Sequence, residues 1–216
     1  MWETRFILLG VLGAWDGVGY CLYRHRDQYK GLLENRIYNI TAVIAWNCLC
    51  YLIVGLPPAG GWNSRPDWLE YRSVCIGFPV IGLLLICAFA LMGFGTLKQR
   101  KVIGSQDVRE GLLTLGFHRY FRHPIYTAIM WACLGLPLLM RNADGLLMFP
   151  AIFAVHFAAA IIEERTDIGV RFQKEYQAYR QTTRMFGPIW LWSVVVVIIL
   201  LIVCLGWSAE MRWISY

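Results

Sequence analysis

The sequence predicts an all-α fold: a polytopic membrane helical bundle of about six transmembrane helices plus a cytoplasmic amphipathic helix. Three observations predict it. Hydrophobic residues make up 58% of the 216-residue chain and charged residues only 16%, where a soluble domain carries about a quarter charged residues. The apolar residues fall in membrane-length runs separated by short basic loops. Fifteen of the 20 Lys and Arg lie in the segments 24–36, 98–122 and 163–187, which alternate with loops holding the other five. By the positive-inside rule, an even number of spans then puts the three basic loops in the cytoplasm and both termini outside. The basic residues do not form one patch, so the net charge of +6 argues weakly for nucleic acid.

The elements follow in order. The first run, Phe6–Tyr23, follows Glu3 and Arg5 and lacks a small-x-small cleavage site, so it reads as a span and not as a signal peptide. Ile37–Leu56 is the second, followed by the outer linker Pro57–Trp62, PPAGGW. Val74–Leu97 is the third. The stretch Lys98–Arg122 is too long for a plain turn and is expected to fold over something. Pro124–Met140 and Gly145–Ile162 are the shortest runs, and with only Arg141–Asp144 between them they should form a tight hairpin. Pro188–Trp207 is the sixth. Each run is about long enough to cross ~30 Å of hydrocarbon at ~1.5 Å per residue. After the fifth, Glu163–Arg180 continues as helix. Its Ile168, Phe172, Tyr176 and Tyr179 recur at spacings of four, four and three, giving one apolar stripe. Such a helix lies at a membrane surface, caps a pocket, or is a solvated extension with a packing stripe. No repeat or low-complexity tract divides the chain, so residues 1–216 read as a single membrane domain.

Polar groups crowd the inner ends of the fourth and fifth runs. Pro124 suits the first helical turn, where its missing N–H would be unpaired anyway. Arg122 and His123 then sit beside a helix N-terminus, whose free N–H groups and positive dipole end favour an anion such as a cofactor carboxylate. The alternative is that both are interfacial anchors. Glu163 and Glu164 end the fifth run near them. Adjacent helical residues diverge by ~100°, so one of the two is expected to face a shared pocket. A carboxylate there can attract a sulfonium, pair with an arginine or take a proton; the alternative is a solvated span end. His156 reads as a hydrogen-bonded core histidine. Asp16, mid-span among small residues, has functional and helix-packing readings of equal standing. The seven cysteines lack metal spacing and read as reduced packing residues. No P-loop, nucleophile elbow or dinucleotide fingerprint occurs.

Together these residues resemble the superfamily of integral membrane methyltransferases that includes isoprenylcysteine carboxyl methyltransferases and phospholipid N-methyltransferases. The resemblance is carried by Leu112-Leu113-Thr114-Leu115-Gly116-Phe117-His118 and Arg122-His123-Pro124-Ile125-Tyr126, then the hairpin. Glu163-Glu164, Phe172, Glu175-Tyr176, Tyr179 and Pro188 complete it. It covers about residues 93–188, leaving 188–208 as an additional C-terminal span. It implies that S-adenosylmethionine is the cofactor, with S-adenosylhomocysteine as product and no metal. Glu110, Gly111, Leu112, Leu113, His118, His123, Pro124, Ile125 and Tyr126 would line the cofactor site. Lys98–Arg122 and the aromatic helix would cover it. Glu164, which keeps the superfamily's spacing to Phe172 and Tyr176, would be the carboxylate at the reaction centre, with Arg122 beside it.

Three departures stand out. Prenylcysteine methyltransferases carry an arginine four residues before the equivalent of Glu164, where this chain has Ala160. Their tyrosine upstream of Arg-His-Pro is His118 here, and the sixth run is extra. A prenylcysteine acceptor is therefore disfavoured. The expectation is a methyltransferase of a lipid-like or membrane-partitioned acceptor, methylated on a carboxyl, amine or thiol. The competing class is a non-catalytic transporter or accessory protein that keeps the fold, with Asp16, Asn47 and His156 as its working groups.

Overall fold

The computed structural model describes residues 2–25, 27–33, 36–57, 66–104 and 112–214. Helix α1 spans Trp2–Arg24, a single turn α2 spans Lys30–Leu33, and α3 runs from Arg36 to Gly55. Helix α4 is Arg72–Gly104, α5 Pro124–Leu139, α6 Ala143–Glu163, α7 Gly169–Thr182 and α8 Ile189–Ile214. Among the described residues there is no β-strand. Four helices are long and apolar enough to cross a membrane, and two shorter apolar ones, Thr41–Gly55 within α3 and α5 itself, stand between them. The all-α membrane bundle expected from the hydrophobic runs is what forms.

The short α5 is the centre. It begins at Pro124 with His123 as its N-cap, and eleven of its residues are buried, so it needs no lipid-facing length of its own. It runs along α4 at backbone contact. A Cβ added to Gly82 would lie 2.5 Å from the Gly135 carbonyl oxygen, and one added to Gly135 would lie 2.8 Å from that of Gly82. Small residues at such a crossing let membrane helices gain close packing where no hydrophobic force drives them together. On its other side α5 joins α1, α3 and α6 in a core containing Leu12, Trp46, Ile53, Ile129 and Ile152. Helix α8 rests on α4, where the Ser73 hydroxyl donates to the Ile202 carbonyl at 2.8 Å. The rest of α8 presents Trp190, Leu200 and Leu205 outward, as a lipid-facing helix would.

The end of the bundle holding the α5–α6 turn is tied by a polar knot. Arg5 is fully buried. It donates to the carbonyls of Ile53 (3.1 Å), Leu56 (2.5 Å) and Pro57 (3.1 Å) and pairs with Asp144 at 3.2 Å. Asn142 caps α6 by accepting from Gly145 N–H at 3.1 Å, while its amide donates to Val54 and Leu56 carbonyls. The unpaired carbonyls that end α3 thus find donors inside the protein, as a helix end away from water requires.

One expectation is corrected. Residues Lys98–Gly104 continue α4 and are not loop. Apolar content falls at Lys98, but the helical hydrogen-bond ladder does not depend on it. Residues 105–111 of the covering segment and 58–62 of the linker lie outside the described residues.

Candidate functional site

At the opposite end, two chain segments distant in sequence hold the start of α5. Phe121 and Arg184 form a parallel β-bridge. Arg122 N–H donates to the Arg184 carbonyl at 2.9 Å and His123 N–H to that of Met185 at 3.0 Å. The Tyr179 hydroxyl donates to the His118 carbonyl and lies 3.4 Å from that of Phe121. Gly187 permits this approach. Its φ is +82°, and a Cβ there would sit 2.2 Å from the Phe121 ring. The peptide carrying Arg122 and His123 is therefore fixed before either side chain does anything.

Between α6 and α7 the helix widens into a π-helical turn over Glu164–Ile168, closed by Gly169 N–H donating to the Glu164 carbonyl. Such turns recur at functional sites. A Cβ on Gly169 would lie 2.4 Å from that carbonyl oxygen, which suits glycine. Helix α7 then kinks at Gln173 (φ 29°, ψ −100°) and turns Tyr176 and Tyr179 inward.

These segments assemble a charge cluster. His123 Nε2 lies 3.0 Å from Glu164 Oε1, and its Nδ1 lies 3.4 Å from Glu163 Oε2. Arg122 Nε approaches the same Glu164 oxygen at 3.0 Å, and its terminal nitrogen donates to the Arg180 carbonyl at 3.1 Å. Only Glu163 lines the adjoining cavity, as the divergence of helical neighbours predicts, but both glutamates contact His123. The two diverge as neighbours on a helix must, but the imidazole stands between them and offers a nitrogen to each. Burial disfavours charge on His123, yet the hydrogen bonds to Glu163 and Glu164 outweigh it and raise its pKa above the ordinary value. Burial pushes Glu164 up, but His123, Tyr176 and Arg122 beside it outweigh that and hold its carboxyl below the usual range. The surroundings thus favour the charged form of both Glu164 and His123. Burial and the adjacent Glu164 carboxylate push the Tyr176 phenol well above its ordinary value.

The cluster opens on a cavity of about 700 Å³. Leu112, Leu113, His118, Arg122, His123, Pro124, Ile125 and Tyr126 all line it. So do Ile168, Phe172, Tyr176 and Tyr179, the whole stripe of the amphipathic helix. Glu163 is on the wall, while Glu164 packs behind His123 with its side chain 6% exposed. Glu110 and Gly111 lie outside the described residues. The His123 ring stacks on Tyr126, centroids 5.4 Å apart at 6°. His156 is off the cavity. It is fully buried, its Nδ1 2.8 Å from the Ile152 carbonyl, behind Trp46 and Tyr126.

Residues 75–169 match the family model of phospholipid methyltransferases. The match bears out the resemblance to the isoprenylcysteine and phospholipid methyltransferase superfamily. It begins within α4, ahead of the motif's first recognisable residue, and ends at Gly169, just short of the aromatic stripe beyond Ile168. No curated protein and no solved structure matches the chain.

Sequence reasoning missed the far wall of the cavity, which is built by Trp15, Asp16, Gly19 and Tyr20 of α1 and Ala42, Val43, Trp46 and Asn47 of α3. The only signal for it was the mid-span acid. It also missed Asp167 and Arg171, an ion pair one turn apart that lines the cavity near the π-helical turn.

Proposed function

We propose that the protein is an integral membrane methyltransferase that uses S-adenosylmethionine to methylate a lipid-like acceptor on a carboxyl, amine or thiol. The observation that carries this reading is the convergence of the motif residues, from three separate segments, on one cavity between apolar helices. The residues fit the cofactor. The volume lies within the ~300–1,000 Å³ usual for small-ligand sites. Arg122 at the start of α5 offers a cationic donor for its carboxylate, and His123, whose ring nitrogens face Glu163 and Glu164, adds a cationic ring beside it. Glu163 and Asp167 on the wall offer acceptors for its ammonium group, and Phe172, Tyr176 and Tyr179 offer flat apolar surface. Glu110 and Gly111 would extend that site by the resemblance. When bound, S-adenosylmethionine supplies a methyl group already activated on a sulfonium.

The chain's own task is then to position, shield and, for an amine or thiol acceptor, remove a proton. Leu112, Leu113, His118, Pro124, Ile125 and Tyr126 shape the chamber, and α7 shuts water out of it. Glu163 faces the cavity and can accept a proton. Glu164 and Arg122 form the pair at the reaction centre. On this geometry Glu164 works by favouring the charged form of His123 and holding both Arg122 and His123 in place. The acceptor would arrive sideways from the bilayer, and the basic loops would face the cytoplasm.

The test is a calorimetric titration of S-adenosylhomocysteine into detergent-purified protein. Saturable binding in the wild type, weakened at least about tenfold in His123→Ala by loss of the ring that orders the cluster, supports the reading. Absence of binding in folded protein refutes it and leaves the transporter or accessory class.

A further inference from the structure

The end of the bundle that holds the motif also carries cations that its own carboxylates leave alone. Residues 112–123 and 176–190 contain four arginines, Arg119, Arg122, Arg180 and Arg184, and no Asp or Glu. Arg122 is paired with Glu164, as Arg5, Arg141 and Arg171 are with Asp144, Glu70 and Asp167. Arg119, Arg180 and Arg184 are exposed and have no carboxylate partner among the described residues. They come from separate elements: the short helical turn Gly116–Arg119, α7, and the stretch between α7 and α8. The contacts that fix the start of α5 bring their backbones side by side. Thr183 Oγ1 donates to the Arg119 carbonyl at 3.5 Å, Arg122 Nη1 to that of Arg180 at 3.1 Å, and Arg122 N–H to that of Arg184 at 2.9 Å. Three like charges are thus gathered by bonds that none of their own side chains makes, and their repulsion favours an anion between them.

The depth of the patch says which anion. Helix α8 starts at Ile189, five residues after Arg184, with Ile189 70% and Trp190 65% exposed. An exposed Trp at the end of a membrane-length helix belongs at the headgroup boundary. On the other flank Tyr120 is 56% exposed, and the Arg119 guanidinium lies 5.9 Å from its ring centre. Such side chains keep a polar tip in the headgroup layer and an apolar body against the chains. We propose that Arg119, Arg180 and Arg184 form a docking site for the headgroup of an anionic phospholipid. This lipid is not the acceptor, since none of the three residues lines the cavity. The site stands on charge and depth and does not rest on the methyltransferase reading.

The test is native mass spectrometry of the full chain in neutral detergent, titrated with phosphatidylglycerol or with phosphatidylcholine of the same acyl chains. A cation near an anionic lipid surface is worth roughly fivefold in affinity. The wild type should bind phosphatidylglycerol at least about tenfold more tightly than phosphatidylcholine. Changing Arg119→Gln, Arg180→Gln and Arg184→Gln together should bring that ratio close to one. Arg184→Gln alone should lower it about threefold to fivefold, a readout that needs no triple variant to fold. A second triple, Arg24→Gln, Arg72→Gln and Lys98→Gln, removes the same charge from exposed positions elsewhere and should keep the preference. Loss of the preference in both triples overturns the proposal, because net charge and not the patch then decides. Wild-type binding without a preference, or a preference that survives the first triple, overturns it as well. Inorganic phosphate that displaces phosphatidylglycerol at equal concentration would also overturn it, by giving the patch to a soluble anion.

Discussion

Replacing Glu164 with glutamine removes the one charge that Arg122 and His123 share. Both lie 3.0 Å from the same carboxylate oxygen, and the Glu164 and Arg122 side chains are 6% and 9% exposed. A hydrogen bond to a charged group contributes about 1.5–3 kcal/mol. Only the His123 contact is such a bond; the Arg122 Nε contact is an ion pair without hydrogen-bond geometry. A glutamine oxygen can keep the first in neutral form, so roughly half of it is lost together with the ion pair. Stranding part of a buried charge adds to that, for a total of about 3 kcal/mol, the lower edge for breaking a buried pair. For a chain of this size that is a fall of roughly 6–12 °C in unfolding midpoint, read by differential scanning fluorimetry in detergent. The pH dependence gives a second readout. Glu164 has a lowered pKa, so its contribution is present above the ordinary carboxylate value and lost as pH falls through its folded value. His123 has a raised pKa, so its contribution is full below the ordinary imidazole value and lost as pH rises through its folded value. In Glu164→Gln the acid-side loss should shrink and the alkaline loss should move to lower pH. Turnover and cofactor affinity should fall together, because Glu164 holds Arg122 and His123 in place. An unchanged midpoint with an unchanged pH profile would refute the account of the cluster.

Glu163→Gln, which keeps the Arg122–Glu164 pair, should lower turnover of an amine or thiol acceptor with little loss of stability; equal turnover at all pH values would remove Glu163 as a proton acceptor. Arg5→Met should destabilise by about 3–5 kcal/mol, because the buried pair with Asp144 is broken and the Ile53 and Pro57 carbonyls lose the Arg5 donor, and a detergent melting curve within experimental error of wild type would contradict this. Gly187→Ala should cost about 1–3 kcal/mol through its positive φ and the clash with Phe121, and should weaken S-adenosylhomocysteine binding by shifting the bridge that holds His123. Tyr179→Phe, losing one hydrogen bond to the His118 carbonyl, should cost about 1 kcal/mol; a stabilised variant would show that the phenol is poorly accommodated.

The hydrophobic runs located the spans because lipid leaves a helix no choice but to be apolar over its crossing length. Pro124 marked the first turn of α5 for a similarly local reason. What the sequence could not display was pairing at a distance. Arg5 looked like one more loop charge, and only the carbonyls of residues 53–57 and the carboxylate of Asp144 make it a buried knot. The bridge from Phe121 to Arg184 joins residues with no periodic or compositional relation. The site was legible where a motif compressed it, at Arg122–Tyr126 and Glu163–Glu164. It was opaque where α1 and α3 supply the wall, since a lining residue there differs from a lipid-facing one only in direction. The end of α4 was misread for the opposite reason: a helix can leave the apolar layer and continue.

The π-helical turn makes the length of the α6–α7 junction matter more than its composition. It accommodates one residue beyond the regular helical repeat between Glu164 and Gly169. Deleting that residue would leave a longer, straighter and locally more regular helix. It would also swing everything beyond through ~100° and draw it back ~1.5 Å. Tyr176 and Tyr179 would then point away from His118 and the cavity, while Glu163 and Glu164 stayed where they are. The chamber would keep its charges and lose its roof. Substitutions in this stretch can therefore be graded in their effect, whereas insertions and deletions cannot: the junction behaves as a ratchet with one working tooth.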